Sequence, residues 1–410
     1  MSMITLFSGS YCNEQDVLRE LVDRAGCRLI RDEDVVSSAS SLSGLAANKI
    51  QKAFSGKASA FNTFTHEKER SITYLRLAMA EMLFSDGLLV AGFSGHLIPR
   101  KISHVLRICL VADLKSRTAA AALHVGMPAK EAAKLVHKQD EEAALWVSTV
   151  TGSSDPWGAA LYDILIPTDK VAVKDATDLI VRNLGRDVLQ ITPQSQQAVQ
   201  DFLLAARVEV ALAKEGHHVE VDAENGAVTL TINKHVLMLN RLEEELKSIA
   251  SKMPGVRSLS TKIGKGFHQA DIYRKVDFEL PSKVLLVDDE REFVQTLSER
   301  LLMRDMGSAV AYDGESALSM IREDEPEVMI LDLKMPGIDG IEVLRRVKQT
   351  RPEIEVIILT GHGSEEDRAT CLKLGAFAYL QKPVDIDRLT ETLKQANEKM
   401  RQNIAAMKNS

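Results

Sequence analysis

Short apolar segments that end in polar residues recur through the last third of the chain, and this pattern restricts the fold more than any other feature of the sequence. In chain order, the segments and the polar residues that follow them are 283–287 with Asp288 and Asp289, 328–331 with Asp332, 356–359 with Thr360, and 378–380 with Lys382. Helical patterns separate these segments. Buried strands that alternate with helices predict a doubly wound parallel sheet, and such sheets bind ligands beyond the carboxyl ends of their strands. We therefore expect the polar residues to meet at one edge of a sheet.

The residue types at that edge predict phosphoryl chemistry. Clustered carboxylates repel one another, and a hard divalent cation with oxygen ligands relieves the repulsion. We therefore expect Asp288, Asp289 and Asp332 to hold Mg2+. Asp332 would attack a phosphoryl donor and form an acyl phosphate. The ammonium group of Lys382 would stabilise charge on the transferred group, and the hydroxyl of Thr360 would donate a hydrogen bond to it.

The same segments resemble the receiver domain of two-component response regulators. The resemblance covers residues 283–398 and rests on VLLVDDE at 284–290, LDLKMPGIDG at 331–340, LTGHG at 359–363 and GAFAYLQKP at 375–383. It implies a doubly wound, five-stranded, flavodoxin-like domain, which we place at residues 281–400, and a sensor histidine kinase as partner. The residue roles that it implies are Asp332 as phosphoacceptor, Asp288 and Asp289 as the acidic pair, Thr360 and Lys382 as the switch and catalytic residues, and Tyr379 as an aromatic switch.

The first section of the chain, residues 1–184, also alternates strand and helix patterns, which predicts another parallel sheet. Its opening strand, turn and helix have the geometry of a phosphate-binding loop, which would place Ser8, Gly9 and Ser10 beside a nucleotide. The turn contains no G-x-x-x-x-G-K-[ST] motif. An ordinary strand-to-helix turn therefore remains the alternative.

Residues 3–184 resemble the cytidylate-kinase-like family, which has the fold of the P-loop nucleoside monophosphate kinases. The matching stretches include MITLFSG, GLLVAGFSGHLIPR, VLRICLVADLKSR and DPWGAALYDILIPT. The departures from the family are Tyr11, Asn13 and Glu14 in place of a glycine-rich loop, Phe93 in place of an arginine, and the absence of a lid arginine from residues 140–146. Arg117 is retained, either as a nucleotide ligand or as a surface residue.

These departures predict a degenerate kinase-like domain at residues 1–190, because phosphoryl transfer depends on positioning and on charge neutralisation. Such a domain would serve sensing, docking or dimerisation, and residual nucleotide binding stays open. We expect no enzyme activity beyond phosphorylation and dephosphorylation of the receiver itself. Two alternatives remain: an active nucleoside monophosphate kinase that the receiver regulates, and a scaffold whose receiver is never phosphorylated.

A small α+β section follows a linker helix that starts within residues 191–204. Thr192 and Pro193 are typical of a helix start, and Asn225–Gly226 is a strong hairpin turn. Residues 205–275 resemble the BON domain through VDAENGAVTLTI and LNRLEEELKSIASKMPGVRSLSTKI. The BON family is associated with phospholipids, but this segment has no strongly basic or amphipathic membrane face, so we expect a structural or ligand-binding module.

The composition favours a cytoplasmic protein. The net charge of −7 at pH 7 argues against nucleic acid and anionic membranes as partners. The four cysteines are scattered, which predicts free thiols. The sequence shows no signal peptide, and no uncharged run approaches the roughly 18 residues of a membrane helix. A helical pattern from Asp385 to Lys408 is a candidate surface for a homodimer.

Overall fold

The computed structural model describes residues 2–55, 61–236, 238–265, 267, 280–304, 306–361 and 363–408, with backbone alone for residues 63, 64 and 404–408. The strands are β1 (Met3–Ser8), β2 (Arg28–Arg31), β3 (Leu88–Ala91), β4 (Val105–Val111), β5 (Ile164–Pro167), β6 (Glu220–Glu224), β7 (Ala227–Ile232), β8 (Ser258–Ile263), β9 (Val284–Val287), β10 (Ser308–Ala311), β11 (Val328–Leu331), β12 (Glu355–Thr360) and β13 (Ala378–Gln381). The helices are α1 (Glu14–Ala25), α2 (Asp32–Ser43), α3 (Ala47–Gln51), α4 (Asn62–Thr65), α5 (Glu67–Met82), α6 (Leu114–Val125), α7 (Ala129–Thr151), α8 (Val173–Leu184), α9 (Pro193–Lys214), α10 (Leu239–Ala250), α11 (Arg291–Leu302), α12 (Gly314–Glu323), α13 (Gly340–Thr350), α14 (Glu365–Lys373) and α15 (Ile386–Lys408). Short 3-10 helices cover Phe93–Leu97, Ala159–Leu161 and Asp187–Leu189.

The chain forms two compact units. Residues 1–57 and 68–273 make up the first unit, and residues 58–67 and 274–410 make up the second. Each unit contains a five-stranded parallel sheet, and the first also contains a three-stranded sheet.

The large sheet of the first unit is covered by helices on both faces. Its strand order is β2-β3-β1-β4-β5, and its strand pairs are all parallel. Strand β3 shows why the strands are apolar throughout: Leu88 and Val90 pack into one core, and Leu89 packs into the other. This architecture agrees with the sheet that the sequence predicts.

The small sheet of the first unit has the order β6-β7-β8. The β6–β7 pair is antiparallel, and it turns at Asn225 and Gly226, whose φ angles are 48° and 81°. Helix α9 begins in the capping box that Thr192 forms with Ser195, as the Thr192–Pro193 pair predicts, and Val208 from this helix packs against the small sheet. The segment is therefore a small α+β structure.

The second unit is a doubly wound sheet with the strand order β10-β9-β11-β12-β13, and its pairs are all parallel. Leu285 and Val287 pack into the core on one face, and Val284 and Leu286 pack into the core on the other. The order reverses at β9, so the switch point lies between β9 and β11. The fifth strand, which the polar strand ends do not reveal, is β10.

Two expectations from composition can be compared with the described residues. No described helix has both the length and the apolar character that are needed to cross a bilayer. All four cysteines are buried free thiols.

Candidate metal and phosphoryl-acceptor site

Three carboxylates meet beyond the carboxyl ends of β9 and β11. Asp288 and Asp289 follow β9, and Asp332 follows β11. One ligand oxygen from each residue lies within 4.8 Å of the others. Asp288 and Asp332 are buried, whereas Asp289 is exposed. The sheet therefore brings the predicted acidic triplet together.

Backbone hydrogen bonds fix the two buried carboxylates. The Asp288 N–H donates to Ala311 at 3.1 Å, and the Asp332 N–H donates to Val287 at 2.9 Å. The Oδ1 atom of Asp332 accepts from the Leu333 N–H at 2.7 Å. Each side chain therefore keeps one oxygen engaged in the loop and presents its Oδ2 atom to the site.

Lys382 lies among these oxygens. Its Nζ atom is 2.6 Å from Asp288 Oδ2, 3.0 Å from Glu290 Oε1 and 3.4 Å from Asp332 Oδ2. Burial alone would lower the pKa of Lys382, but the hydrogen bonds to Asp288 and Glu290 outweigh it, so this pKa lies above its usual value. Burial raises the pKa of Asp288, and Lys382 offsets only part of that effect. Lys382 is therefore a charged ammonium group beside Asp288 and Asp332.

The donor set suits Mg2+. Asp288, Asp289 and Asp332 offer oxygen ligands, which a hard divalent cation prefers. The ammonium of Lys382 contacts Glu290 as well as two members of the triplet, so its one positive charge cannot balance the four carboxylates. This excess negative charge in a partly buried site favours a divalent cation.

Two further predicted residues lie on the neighbouring strands β12 and β13. Thr360 is buried at the end of β12, and its carbonyl oxygen accepts from the Lys382 N–H at 2.9 Å. Tyr379 is half-buried, and its hydroxyl is enclosed without a hydrogen-bond partner among the described residues. Burial raises the pKa of that hydroxyl. A Cβ atom added at Gly363 would overlap the Tyr379 hydroxyl, so the ring lies directly against this loop.

Helix α13 approaches Asp332 so closely that a side chain on its first residue, Gly340, would collide with the backbone. A Cβ atom at Gly340 would overlap the carbonyl oxygen of Asp332 and lie 2.7 Å from Leu333 Cα. The Gly340 N–H donates to the Leu333 carbonyl at 3.0 Å. Gly340 therefore allows the helix to brace the loop that carries Asp332.

The first unit has a different arrangement at the carboxyl end of β1. The Gly9 N–H donates to Leu110 at 2.9 Å, and Ser8 Oγ donates to the Gly9 carbonyl. Tyr11 and Asn13 adopt left-handed conformations, with φ angles of 63° and 55°. The strand-to-helix turn is therefore shaped by non-glycine residues.

Arg117 fills the space beside this turn. Its guanidinium donates to the carbonyl and the Oγ of Ser10 at 2.9 and 2.8 Å, and to Asp140 at 2.5 and 3.0 Å. Its side chain is only 7% exposed, so the alternative of a surface residue is wrong. Sequence reasoning missed Asp140 as its partner, because the two residues lie on separate helices, 23 positions apart. Arg117, the arginine that this chain shares with the kinase-like family, is thus held by acceptor groups of the protein itself.

Two models of known protein families match parts of this chain. The family model of the response regulator receiver domain matches residues 284–394, which carry the acidic triplet, Thr360 and Lys382. This part of the chain is a response regulator receiver domain. The family match begins at Val284, which is the first residue of β9.

The receiver domain is similar to parts of longer regulators. The transcriptional regulatory protein CpxR of Escherichia coli is 42% identical over 113 residues, which are 28% of this chain and 48% of that protein. The response regulator MprA of Mycolicibacterium vanbaalenii is 33% identical over 28% of this chain and 50% of its own length. The chain thus spans about half the length of these curated relatives. A solved receiver domain protein from Methanospirillum hungatei is 27% identical, with 29% of this chain and 96% of that chain covered and a TM-score of 0.29.

A second family model, that of the cytidylate kinase-like family, matches residues 3–170. This match agrees with the resemblance in the first unit and includes the turn at Ser8, Gly9 and Ser10 together with Arg117. The similarity of residues 205–275 to the BON domain stays a prediction.

Glu290 is a residue at this site that the sequence analysis did not single out. It follows the acidic pair directly, and its carboxylate holds Lys382. The signal was present in the letters DDE of the VLLVDDE motif, but the sequence does not show whether the third acid turns toward the lysine.

Proposed function

We propose that Asp332 accepts a phosphoryl group from a sensor histidine kinase and that Mg2+ bound by Asp288, Asp289 and Asp332 is required for the transfer. The observation that carries this proposal is the convergence of three carboxylate oxygens within 4.8 Å beside the Lys382 ammonium. Lys382 by itself leaves these carboxylates with net negative charge, which a divalent cation would balance. Asp289 is the exposed ligand of the three.

The chain's own residues account for the chemistry of transfer. An Asp332 oxygen attacks the phosphorus of a phosphohistidine, the P–N bond breaks, and the electron pair leaves with the imidazole nitrogen of the kinase. The Leu333 N–H holds Oδ1 of Asp332, so Oδ2, which faces Lys382, is the attacking atom. Lys382 stabilises negative charge on the transferred group. Bound Mg2+ would supply charge neutralisation among the carboxylates and the phosphoryl oxygens.

The response to phosphorylation runs through Thr360 and Tyr379. The new phosphate offers acceptor oxygens to the Thr360 hydroxyl at the end of β12. Movement of the loop after β12 changes the space that Gly363 leaves for the Tyr379 hydroxyl. Because that hydroxyl is enclosed without a described partner, little opposes its relocation. Phosphorylation would thereby alter the surface around α14 and β13, through which the receiver domain contacts a partner.

Intact-mass spectrometry tests the proposal. The full chain, treated with acetyl phosphate and Mg2+, should gain one phosphoryl group, and Asp332→Asn or a chelator should abolish the gain. Asp387→Asn is the matched control, because Asp387 is an exposed aspartate that pairs with Arg304 away from the site. Equal phosphorylation of wild type and Asp332→Asn would refute the assignment.

For the first unit, we propose a degenerate kinase-like domain that serves sensing or docking. The supporting observation is Arg117, whose guanidinium is held by Ser10 and Asp140 beside the turn where a kinase would hold phosphate. Phosphoryl transfer needs free positive charge at that point, and this cation is already paired.

A coupled assay with CMP and ATP tests this second proposal. We expect no turnover above background from the wild-type chain, or from Asp140→Asn, which frees Arg117 from its carboxylate. Turnover by wild type that Arg117→Gln abolishes would instead establish an active kinase.

A further inference from the structure

A cavity in the first unit lies at the end of the large sheet opposite to the turn at Ser8. It has a volume of about 400 Å3, and its wall is formed by the starts of β4 and β5 and by the end of α8. Because the strands are parallel, this end is remote from the site that the kinase-like family uses. A volume of this size suits a small organic molecule.

Three arginines line the cavity: Arg100, Arg107 and Arg186. Asp163 is the one acidic side chain among the lining residues. The lining therefore carries two more formal positive charges than negative ones. Such a balance favours a dianion over a neutral or monoanionic molecule.

Arg107 is built into the wall. It is 7% exposed, and its guanidinium donates to the carbonyls of Pro99 at 2.9 Å and Val105 at 3.1 Å. Burial lowers the pKa of Arg107 to about 10, and the nearby Asp163 carboxylate counters that effect. A guanidinium has five N–H donors, so these two hydrogen bonds leave donors for a ligand.

The other two arginines are less tightly held. Arg100 donates to the Ala160 carbonyl at 2.6 Å and lies 3.6 Å from Asp163, whose other oxygen accepts from the Arg107 backbone. Arg186 is exposed, and its guanidinium has no hydrogen-bond or ion-pair partner among the described residues. Arg186 can therefore turn toward an anion without breaking a contact.

Apolar side chains complete the cavity. Leu106 and Leu189 are buried in its wall, and Val188 is 76% exposed at its rim. An exposed valine beside guanidinium groups offers apolar contact to the body of a ligand whose charged group meets the arginines.

We propose that this cavity binds a small organic phosphate monoester, with the phosphate held among Arg100, Arg107 and Arg186 and the organic part against Val188. A phosphate monoester has close to two negative charges at neutral pH, which matches the charge of the lining. Guanidinium groups bind phosphate oxygens through paired hydrogen bonds. The site is separate from the receiver chemistry, and it gives the first unit a ligand other than a nucleotide at the kinase position.

Calorimetric titration of the full chain with phenyl phosphate tests this inference. A chelator in the buffer keeps divalent metal from the receiver site. We expect saturable binding of phenyl phosphate with a dissociation constant below about 10 mM. Inorganic phosphate and benzoate should each bind at least several-fold more weakly. Arg100→Gln combined with Arg186→Gln should weaken phenyl phosphate binding about tenfold or more. The Arg182→Gln variant changes an exposed arginine of α8 that does not line the cavity, and it should bind like wild type.

The possible outcomes separate clearly. Unchanged binding in the double variant, or equal loss in Arg182→Gln, would overturn the site. Benzoate that binds as tightly as phenyl phosphate would overturn the phosphate assignment. Circular dichroism establishes that each variant is folded, and Arg107 is left intact because its burial makes it part of the core.

Discussion

Lys382, which is partly buried, and Arg117, which is buried, are both cations at the carboxyl end of a parallel sheet, but their partners differ. Lys382 contacts three carboxylates and leaves excess negative charge, whereas Arg117 forms a two-point contact with the single carboxylate of Asp140 and also binds Ser10. The first arrangement attracts a divalent cation. In the second arrangement, the guanidinium group is already bound by other residues of the protein. At the residue scale, the receiver site keeps excess negative charge, whereas the arginine of the kinase-like unit is paired with protein groups.

Mg2+ affinity should depend on Asp289 far more than on Glu290. Asp289→Asn removes one of the three clustered ligands and should weaken Mg2+ binding about tenfold or more. Glu290→Gln alters a residue that holds Lys382 and lies outside the triplet, so its effect should be within about threefold. Equilibrium dialysis with both variants measures this difference, and equal losses would contradict the assigned ligand set.

Gly363→Ala should displace Tyr379. The added Cβ overlaps the enclosed hydroxyl, so the ring must move toward solvent and the pKa of Tyr379 should fall toward its usual value. Ultraviolet titration measures this pKa when the Tyr379→Phe spectrum is subtracted. Gly361→Ala is the control, because the nearest side-chain atoms around its Cβ are 4.0 Å away. An unchanged tyrosine pKa in Gly363→Ala would mean that the hydroxyl lies elsewhere.

His96 should make the first unit sensitive to acid. Burial lowers its pKa from 6.5 to about 4, although its Nδ1 contacts the Phe93 carbonyl. Between these values the unfolded chain binds the extra proton, so the free energy of unfolding should fall by about 2 kcal/mol from about pH 7 to about pH 5. Trp146 and Trp157, the only tryptophans, both belong to the first unit and report its unfolding in urea. His96→Gln should flatten the pH dependence, and an equal slope in both proteins would contradict this account.

At the element scale, β2 and β10 leave weaker signals in the sequence than the central strands do. Strands β2 and β10 each lie at an edge of their sheet. An edge strand is less enclosed than a central one, so its sequence needs fewer large apolar residues. Residues 28–31 read RLIR and residues 308–311 read SAVA, whereas the central strand β11 reads VMIL and was predicted with its observed bounds.

The receiver site was predictable because its residues end strands and follow a fixed order. Asp288, Asp289, Asp332, Thr360 and Lys382 converge as the sequence indicates. The pairing of Arg117 in the kinase-like unit was not predictable, because Arg117 donates a hydrogen bond to Asp140 on another helix. A polar contact between two side chains on different helices leaves no local pattern in a sequence.

Gly340→Ala should destabilise the second unit. Helix α13 would have to shift away from Asp332 and Leu333 to admit the methyl group, at a cost of about 1–3 kcal/mol. Denaturant unfolding followed by circular dichroism measures the change in midpoint, and Gly361→Ala again serves as the control. Stability equal to wild type would show that the helix does not brace the phosphoacceptor loop.

At the scale of the whole molecule, a receiver domain shares a chain with a unit that resembles a kinase and retains a basic cavity away from the kinase position. The first unit would then sense a phosphorylated ligand, and the second would accept a phosphoryl group from a protein partner. Homodimerisation through the tail, within residues 385–408, stays a prediction.

Location of the phosphoryl group tests the account most directly. After treatment with acetyl phosphate and Mg2+, borohydride reduction converts an aspartyl phosphate into a stable residue that peptide mass spectrometry can locate. We expect modification at one position, residue 332, and no modification when Mg2+ is chelated. A modification at another aspartate, or one at 332 that forms equally well without a divalent metal, would contradict it.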